Sequence, residues 1–183
     1  MIHRRLALGL LLAGAGPAAA QVPEPDVFRG EPYHAPVPAT LKGARVIDGA
    51  QAIDLHEQGV PFLDTMPRTT RPEGLPAGTI WRQPRHLTIP GAVWLYDTGY
   101  QRLSPAEQVR LESGLDAASA GDKSVPMVIF CRADCWQSWN AARRAVQLGY
   151  SGVIWFPSGS DGWLAAGGAD LVTAELMAEP ADP

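Results

Sequence analysis

The chain predicts a single α/β domain with a central parallel sheet flanked by helices, preceded by a proline-rich N-terminal arm. Three observations carry that expectation. Apolar runs rich in β-branched residues, Val60 to Leu63, Val93 to Leu95, Val125 to Phe130 and Val153 to Phe156, have the length of buried strands. Segments of helical period lie between them, and strands alternating with helices pair in parallel through right-handed crossovers. The 183 residues are 46% hydrophobic and show no internal repeat, which suits one core of ordinary size.

The N-terminus has the layout of a secretory signal peptide over residues 1–20. Met1 to Arg5 is short and basic, Leu6 to Gly16 is apolar, and Pro17-Ala18-Ala19-Ala20 offers a small-residue cleavage site before Gln21. That apolar core is short for a bilayer, and no later stretch reaches the roughly 20 apolar residues of a membrane helix. An exported protein with no membrane span is expected, and Arg4-Arg5 reads as an ordinary basic start rather than a twin-arginine signal. The leader holds two of the fifteen Lys and Arg and none of the nineteen Asp and Glu, so the remaining chain carries a net charge of −6. An acidic surface of that kind disfavours nucleic acid.

In residues 21–43, Pro23, Pro25, Pro32, Pro36 and Pro38 exclude a regular helix and favour extended backbone. Val27, Phe28, Tyr33, Val37 and Leu41 give this arm apolar groups to lay against the domain, which is expected over 44–168 with a tail or helix over 169–183. The domain opens with a strand, Arg45 to Ile47. Asp48 then caps a helix through Gln58 that Gly59 ends. The strand Val60 to Leu63 ends at Asp64, a residue suited either to orienting an arginine or to capping a turn. Met66 to Pro90 is a proline-rich connection carrying Arg68, Arg71, Arg82, Arg85 and His86, too long to be a passive link in a compact domain. Arg82 or Arg85 is expected near the cysteine loop, where a guanidinium would hold an anionic substrate.

Ser104-Pro105-Ala106-Glu107 is a capping box with proline at the first helical position, and its helix runs to about Ala118 before Gly121. A further helix, Gln137 to Leu148, places Asn140, Arg143, Arg144 and Gln147 on an expected solvated face and Trp139, Ala142, Ala145 and Val146 on a packed one. After the strand Val153 to Phe156, Pro157 to Gly162 reads as a turn and Trp163 as the start of a last helical stretch. Trp136, Trp139, Trp155 and Trp163 are expected to be buried packing rather than a quinone-stacking platform. His34, His56 and His86 have no partner at catalytic spacing.

The chemistry is expected at Cys131 and Cys135. Both lie where the strand Val125 to Phe130 gives way to a helix, the junction at which open α/β sheets bind ligands. Loop and helix N–H groups at such a place favour an anion, whether thiolate, persulfide or bound oxyanion. Cys131, first beyond the strand and beside Arg132, is the expected nucleophile. Cys135, beside Asp134, is the expected resolving or regulatory thiol. In an oxidising compartment two thiols four positions apart come within disulfide range.

The order of these features resembles the rhodanese domain: Asp64 after a strand, Ile89-Pro90-Gly91-Ala92, a strand ending in Cys131-Arg132, a helix closed by Leu148-Gly149-Tyr150, and Gly159-Ser160-Asp161-Gly162-Trp163. Cys131, Cys135-Trp136 and Ser138-Trp139-Asn140-Ala141-Ala142 are similar, more narrowly, to the periplasmic rhodanese-like family named for a Cys-x-x-Cys-Trp motif and associated with pyrroloquinoline quinone (PQQ)-dependent alcohol catabolism; the spacing here is Cys-x-x-x-Cys-Trp. The resemblance implies a six-residue active loop, Cys131 to Trp136, with Cys131 at the persulfide-forming position. It also implies a periplasmic location and, as partners, components of a PQQ-dependent dehydrogenase system. The loop of an ordinary rhodanese sulfurtransferase usually has glycine fourth and a basic or hydroxyl residue sixth, whereas Asp134 and Trp136 stand here. A carboxylate a few ångströms from a bound thiosulfate costs about a kcal/mol or more.

Two mechanisms fit. Cys131 takes sulfane sulfur as a persulfide and passes it on, or it attacks a disulfide or oxidant and Cys135 resolves the adduct. The substrate is then a small sulfur anion or a thiol or disulfide, bound with help from Arg132, Arg82, Arg85 and Trp136. No resident cofactor is expected, and haem attachment lacks the histidine that would follow Cys135. The contrasting class is a binding module that docks to a dehydrogenase or transporter component, or holds a soft ion such as Cu(I) between two thiolates.

Overall fold

The computed structural model describes residues 22–177; the signal peptide expected over 1–20 lies outside the described residues. In chain order the elements are β1 (Arg45–Val46), α1 (Gly49–Glu57), β2 (Phe62–Asp64), β3 (Leu87–Thr88), β4 (Val93–Trp94), α2 (Pro105–Ser119), β5 (Met127–Phe130), α3 (Trp136–Gln147), β6 (Val153–Phe156), α4 (Gly159–Ala165) and β7 (Val172–Thr173). Five strands form an all-parallel sheet in the order β1-β6-β5-β2-β4. A two-stranded antiparallel ribbon joins β3 to β7. The central parallel sheet flanked by helices is as the alternating pattern predicts. Among the described residues no helix is long and apolar enough to cross a membrane.

Both faces of the sheet are covered, which is why its strands are continuous apolar runs. Met127, Ile129, Val153 and Trp155 point into a core shared with Leu111 and Leu115 of α2 and Trp139, Ala142 and Ala145 of α3. Val128, Phe130, Ile154 and Phe156 point the other way, onto Ala52 and Leu55 of α1 and Trp163 of α4. The helix starts follow from their caps: the Asp48 and Ser104 side chains accept the N–H groups of Gln51 and Glu107, and each glutamine or glutamate side chain returns to the cap N–H.

Three expectations are corrected. The polar side of α3 is not solvated: Asn140 and Arg144 are buried, and only Gln147 of the four polar residues is exposed. Residues 22–43 and the loop before α2 lie over that side. Asn140 bonds Arg29 N–H at 2.9 Å, Arg29 C=O at 2.8 Å and Gly99 C=O at 2.9 Å. Arg144 donates to the carbonyls of Tyr100 and Gln101 at 2.6 and 2.8 Å, with its guanidinium 4.0 Å from the Phe28 ring. Burial lowers the Arg144 pKa to about 10. The last helix begins at Gly159 rather than Trp163, because the small residues expected to form a turn close a helical one. Val172–Thr173 is a strand rather than tail or helix, since β3 offers it an edge.

Candidate functional site

The register of three adjacent strands gathers the site. Asp64 of β2, Phe130 of β5 and Phe156 of β6 stand side by side, so the segments that follow them leave the carboxyl edge of the sheet together. Cys131 opens the segment after β5, and Cys131 and Cys135 are joined by a disulfide with their Cα atoms 6.2 Å apart. Helix α3 begins at Trp136, one residue earlier than expected, which makes Cys135 its N-cap with no side-chain bond to the helix. Its sulfur is committed to the disulfide.

The loop is clamped from both sides. Tyr33 C=O accepts the Trp136 N–H at 2.9 Å and Ala35 N–H donates to Asp134 C=O at 3.0 Å, a short antiparallel bridge centred on His34 and Cys135. On the opposite side Ser160 N–H donates to Cys131 C=O and Ala133 N–H donates to the Asp161 carboxylate, both at 3.0 Å. Gly159, at φ +48°, permits that approach: a Cβ there would stand 2.3 Å from the Cys131 carbonyl oxygen. Asp134 has φ +53°, the left-handed conformation that favours glycine and that aspartate tolerates. Of the N–H groups expected to favour an anion, those of Ala133 and Trp136 have acceptors within the protein.

Cys131 Sγ lies 3.4 Å from Met66 Sδ, and Cys135 Sγ lies 3.8 Å from Gln137 Oε1. Both cysteines are buried, at 2% and 3% exposure. Cys135 nevertheless lines a cleft of about 330 Å³ with Met66, Arg132, Tyr33, His34, Tyr100 and Gln137; Cys131 does not line it. The Tyr100 phenol is pushed up to about 12, chiefly by burial and then by the charges of Asp97 and Glu107, so it faces this cleft as a neutral hydroxyl.

No family model matches the chain, and no curated protein matches it. The side chains themselves carry the chemistry.

Of the residues expected to bind substrate, Arg132 lines the cleft and the others do not. Arg82 and Arg85 are exposed on the long connection. Arg68 is held by Asp97, through its Nε at 2.8 Å and its N–H at 2.9 Å, and its guanidinium lies 4.0 Å from the Tyr96 ring. Trp136 is 4% exposed and turned into the core, with Trp139 edge-on at 5.5 Å and the Arg29 guanidinium over its ring. Trp139, Trp155 and Trp163 are also buried.

Asp64 serves neither an arginine nor a turn alone. Its carboxylate accepts the Met66 N–H at 2.8 Å, the Thr88 hydroxyl at 2.6 Å and a bond with His86 Nε2 at 2.6 Å. The His86 ring packs on Trp94, centroids 4.5 Å apart. His86 thus has a partner that sequence spacing does not reveal, because the two lie 22 positions apart across the long connection. Met66 is the other residue sequence reasoning misses: nothing in its neighbourhood marks it, and only the β2–β5 register brings it to Cys131.

Proposed function

We propose that this is an exported, rhodanese-like thiol–disulfide redox protein whose reactive group is the Cys131–Cys135 disulfide. The observation that carries the reading is the disulfide itself, lying at the carboxyl end of the central strand with one of its cysteines on a cleft. An incoming thiolate attacks Cys135 Sγ from the cleft, the S–S bond breaks, and Cys131 leaves as a thiolate. A second thiolate of the reductant then attacks the reductant's own sulfur in the mixed disulfide and frees Cys135. Two electrons and two protons enter the protein, and the reductant departs as a disulfide. In the oxidised protein this assigns entry to Cys135, the reverse of the order that sequence position favours; in the other direction Cys135 attacks a substrate disulfide and Cys131 resolves it.

Sulfur transfer from thiosulfate is the weaker reading. Two loop N–H groups are engaged, one of them by the Asp161 carboxylate, and Asp134 adds a second negative charge within the loop. The resemblance to the PQQ-associated periplasmic family supports a redox partner in an alcohol-oxidising system. The test is equilibration of the folded protein in glutathione buffers of graded ratio, followed by thiol trapping and intact mass. A single reversible transition between zero and two labelled thiols is expected. A protein that stays unlabelled across the series while folded, or that accumulates an added sulfur from thiosulfate at wild-type rhodanese rates, contradicts the redox reading.

A further inference from the structure

We propose that the reduced protein binds one Cu(I) ion through the thiolates of Cys131 and Cys135 and the thioether of Met66. Three sulfur atoms are contiguous, with Cys131 at the centre: Cys131 Sγ is bonded to Cys135 Sγ and lies 3.4 Å from Met66 Sδ. Two sulfurs bound to one metal at about 2.3 Å each lie no more than about 4.6 Å apart, a limit this separation satisfies. Met66 is held in place by its backbone on both sides. Its N–H is bound by Asp64 at 2.8 Å, and its C=O accepts Trp94 Nε1 at 2.6 Å. The backbone that carries the thioether is therefore already ordered beside the disulfide before binding, which lowers the cost of ordering this ligand.

The donor set selects the ion. Among the described residues no three His, Cys, Asp or Glu side chains form a ligand group, so a hard or borderline cation has no complete site, whereas thiolate and thioether together suit Cu(I). Two thiolates and one Cu(I) leave a net charge of −1, beside Arg132 on the same cleft. The disulfide must first accept two electrons and two protons from a dithiol, which leaves as a disulfide. Cu(I) then displaces the two thiol protons with no change in its own oxidation state. Met66, Cys131 and Cys135 come from two different strand ends, which is why cysteine spacing alone gives only a two-ligand site.

This inference rests on the disulfide being reducible, as the proposed function requires, and the test separates the two. Protein reduced with a phosphine, desalted without oxygen and shown to hold two free thiols by labelling is titrated against the coloured Cu(I)–bicinchoninate complex. The reduced wild type is expected to take one Cu(I) per chain and the oxidised protein none. Met66→Leu, with two free thiols and an unchanged circular dichroism spectrum, is expected to bind at least tenfold more weakly. X-ray absorption of the wild-type complex, which needs no variant, is expected to show three sulfur scatterers per copper. Two free thiols without copper uptake, a loss of less than tenfold in Met66→Leu, or a two-sulfur shell overturns the inference alone; a disulfide that resists reduction in the folded chain overturns it together with the redox reading.

Discussion

The loop after β5 and the connection after β2 leave the same edge of the sheet from adjacent strands, and they are held in opposite ways. In the cysteine loop the backbones of Cys131, Ala133, Asp134 and Trp136 are bonded to other segments: Tyr33 and Ala35 on one side, Ser160 and the Asp161 carboxylate on the other. The connection from Met66 to His86 is tied near its two ends: the Asp64 carboxylate takes both the Met66 N–H and His86, while Trp94 Nε1 and the Asp97 carboxylate hold the Met66 carbonyl and Arg68. Between them residues 69–85 are exposed apart from the partly covered Leu75 and Trp81. Position at a ligand edge does not decide which segment is ordered for chemistry. What decides it is where the backbone polar groups find partners, and the cysteine loop finds them in segments remote in sequence.

The largest effect is expected from removing the shared anchor. Asp64→Ala leaves the Met66 N–H, the Thr88 hydroxyl and His86 without their acceptor in a buried place, and should cost about 3 kcal/mol in chemical denaturation. A cost under about 1 kcal/mol would mean that the connection is held elsewhere. Gly159→Ala attacks the other segment by forcing a Cβ into the Cys131 carbonyl at a positive φ, and should cost about 2 kcal/mol. It should also raise the rate at which the disulfide is reduced, because the clamp on Cys131 is loosened; an unchanged rate would show that Gly159 does not restrain the loop.

A smaller effect comes with pH. The Tyr100 hydroxyl has a folded-state pKa of about 12, above its ordinary value of 10.0. Its contribution to stability is therefore complete below pH 10 and is lost as pH rises through 12, since the unfolded chain releases that proton first. Tyr100→Phe should remove this part of the alkaline destabilisation, and spectrophotometric titration near pH 10.5 should count the same number of ionised phenols in the folded variant as in the folded wild type; one fewer in the variant would mean that Tyr100 ionises at its ordinary value. The smallest effect is expected from the exposed connection: Arg82→Ala with Arg85→Ala should change stability by less than about 0.5 kcal/mol and alter the rate of disulfide reduction less than twofold. A larger loss of rate with an anionic thiol would place one of these arginines at the cleft after all.

The same comparison shows what a sequence can and cannot tell. Strands β2, β5 and β6 and the starts of α1 and α2 are legible because they depend on local matters, an apolar run or a capping box within four residues. The cysteine pair is legible for the same reason, lying at a strand-to-helix junction. The buried polar face of α3 is not, because what covers Asn140 and Arg144 is a segment without periodicity that bonds through its backbone carbonyls. Met66 and the Asp64–His86 pair are hidden by chain separation: each is brought to its place by strand register or by a long loop returning, and no spacing rule reports either.

The most direct test of the account is the rate at which a small dithiol reduces the Cys131–Cys135 disulfide in the native protein, measured by thiol trapping across denaturant concentrations below the unfolding transition. Exchange through the cleft predicts second-order kinetics whose rate scarcely changes with denaturant while circular dichroism stays native. Reduction that occurs only as fast as the chain unfolds, with a rate rising steeply with denaturant, would mean that the disulfide is a structural staple and would contradict the account.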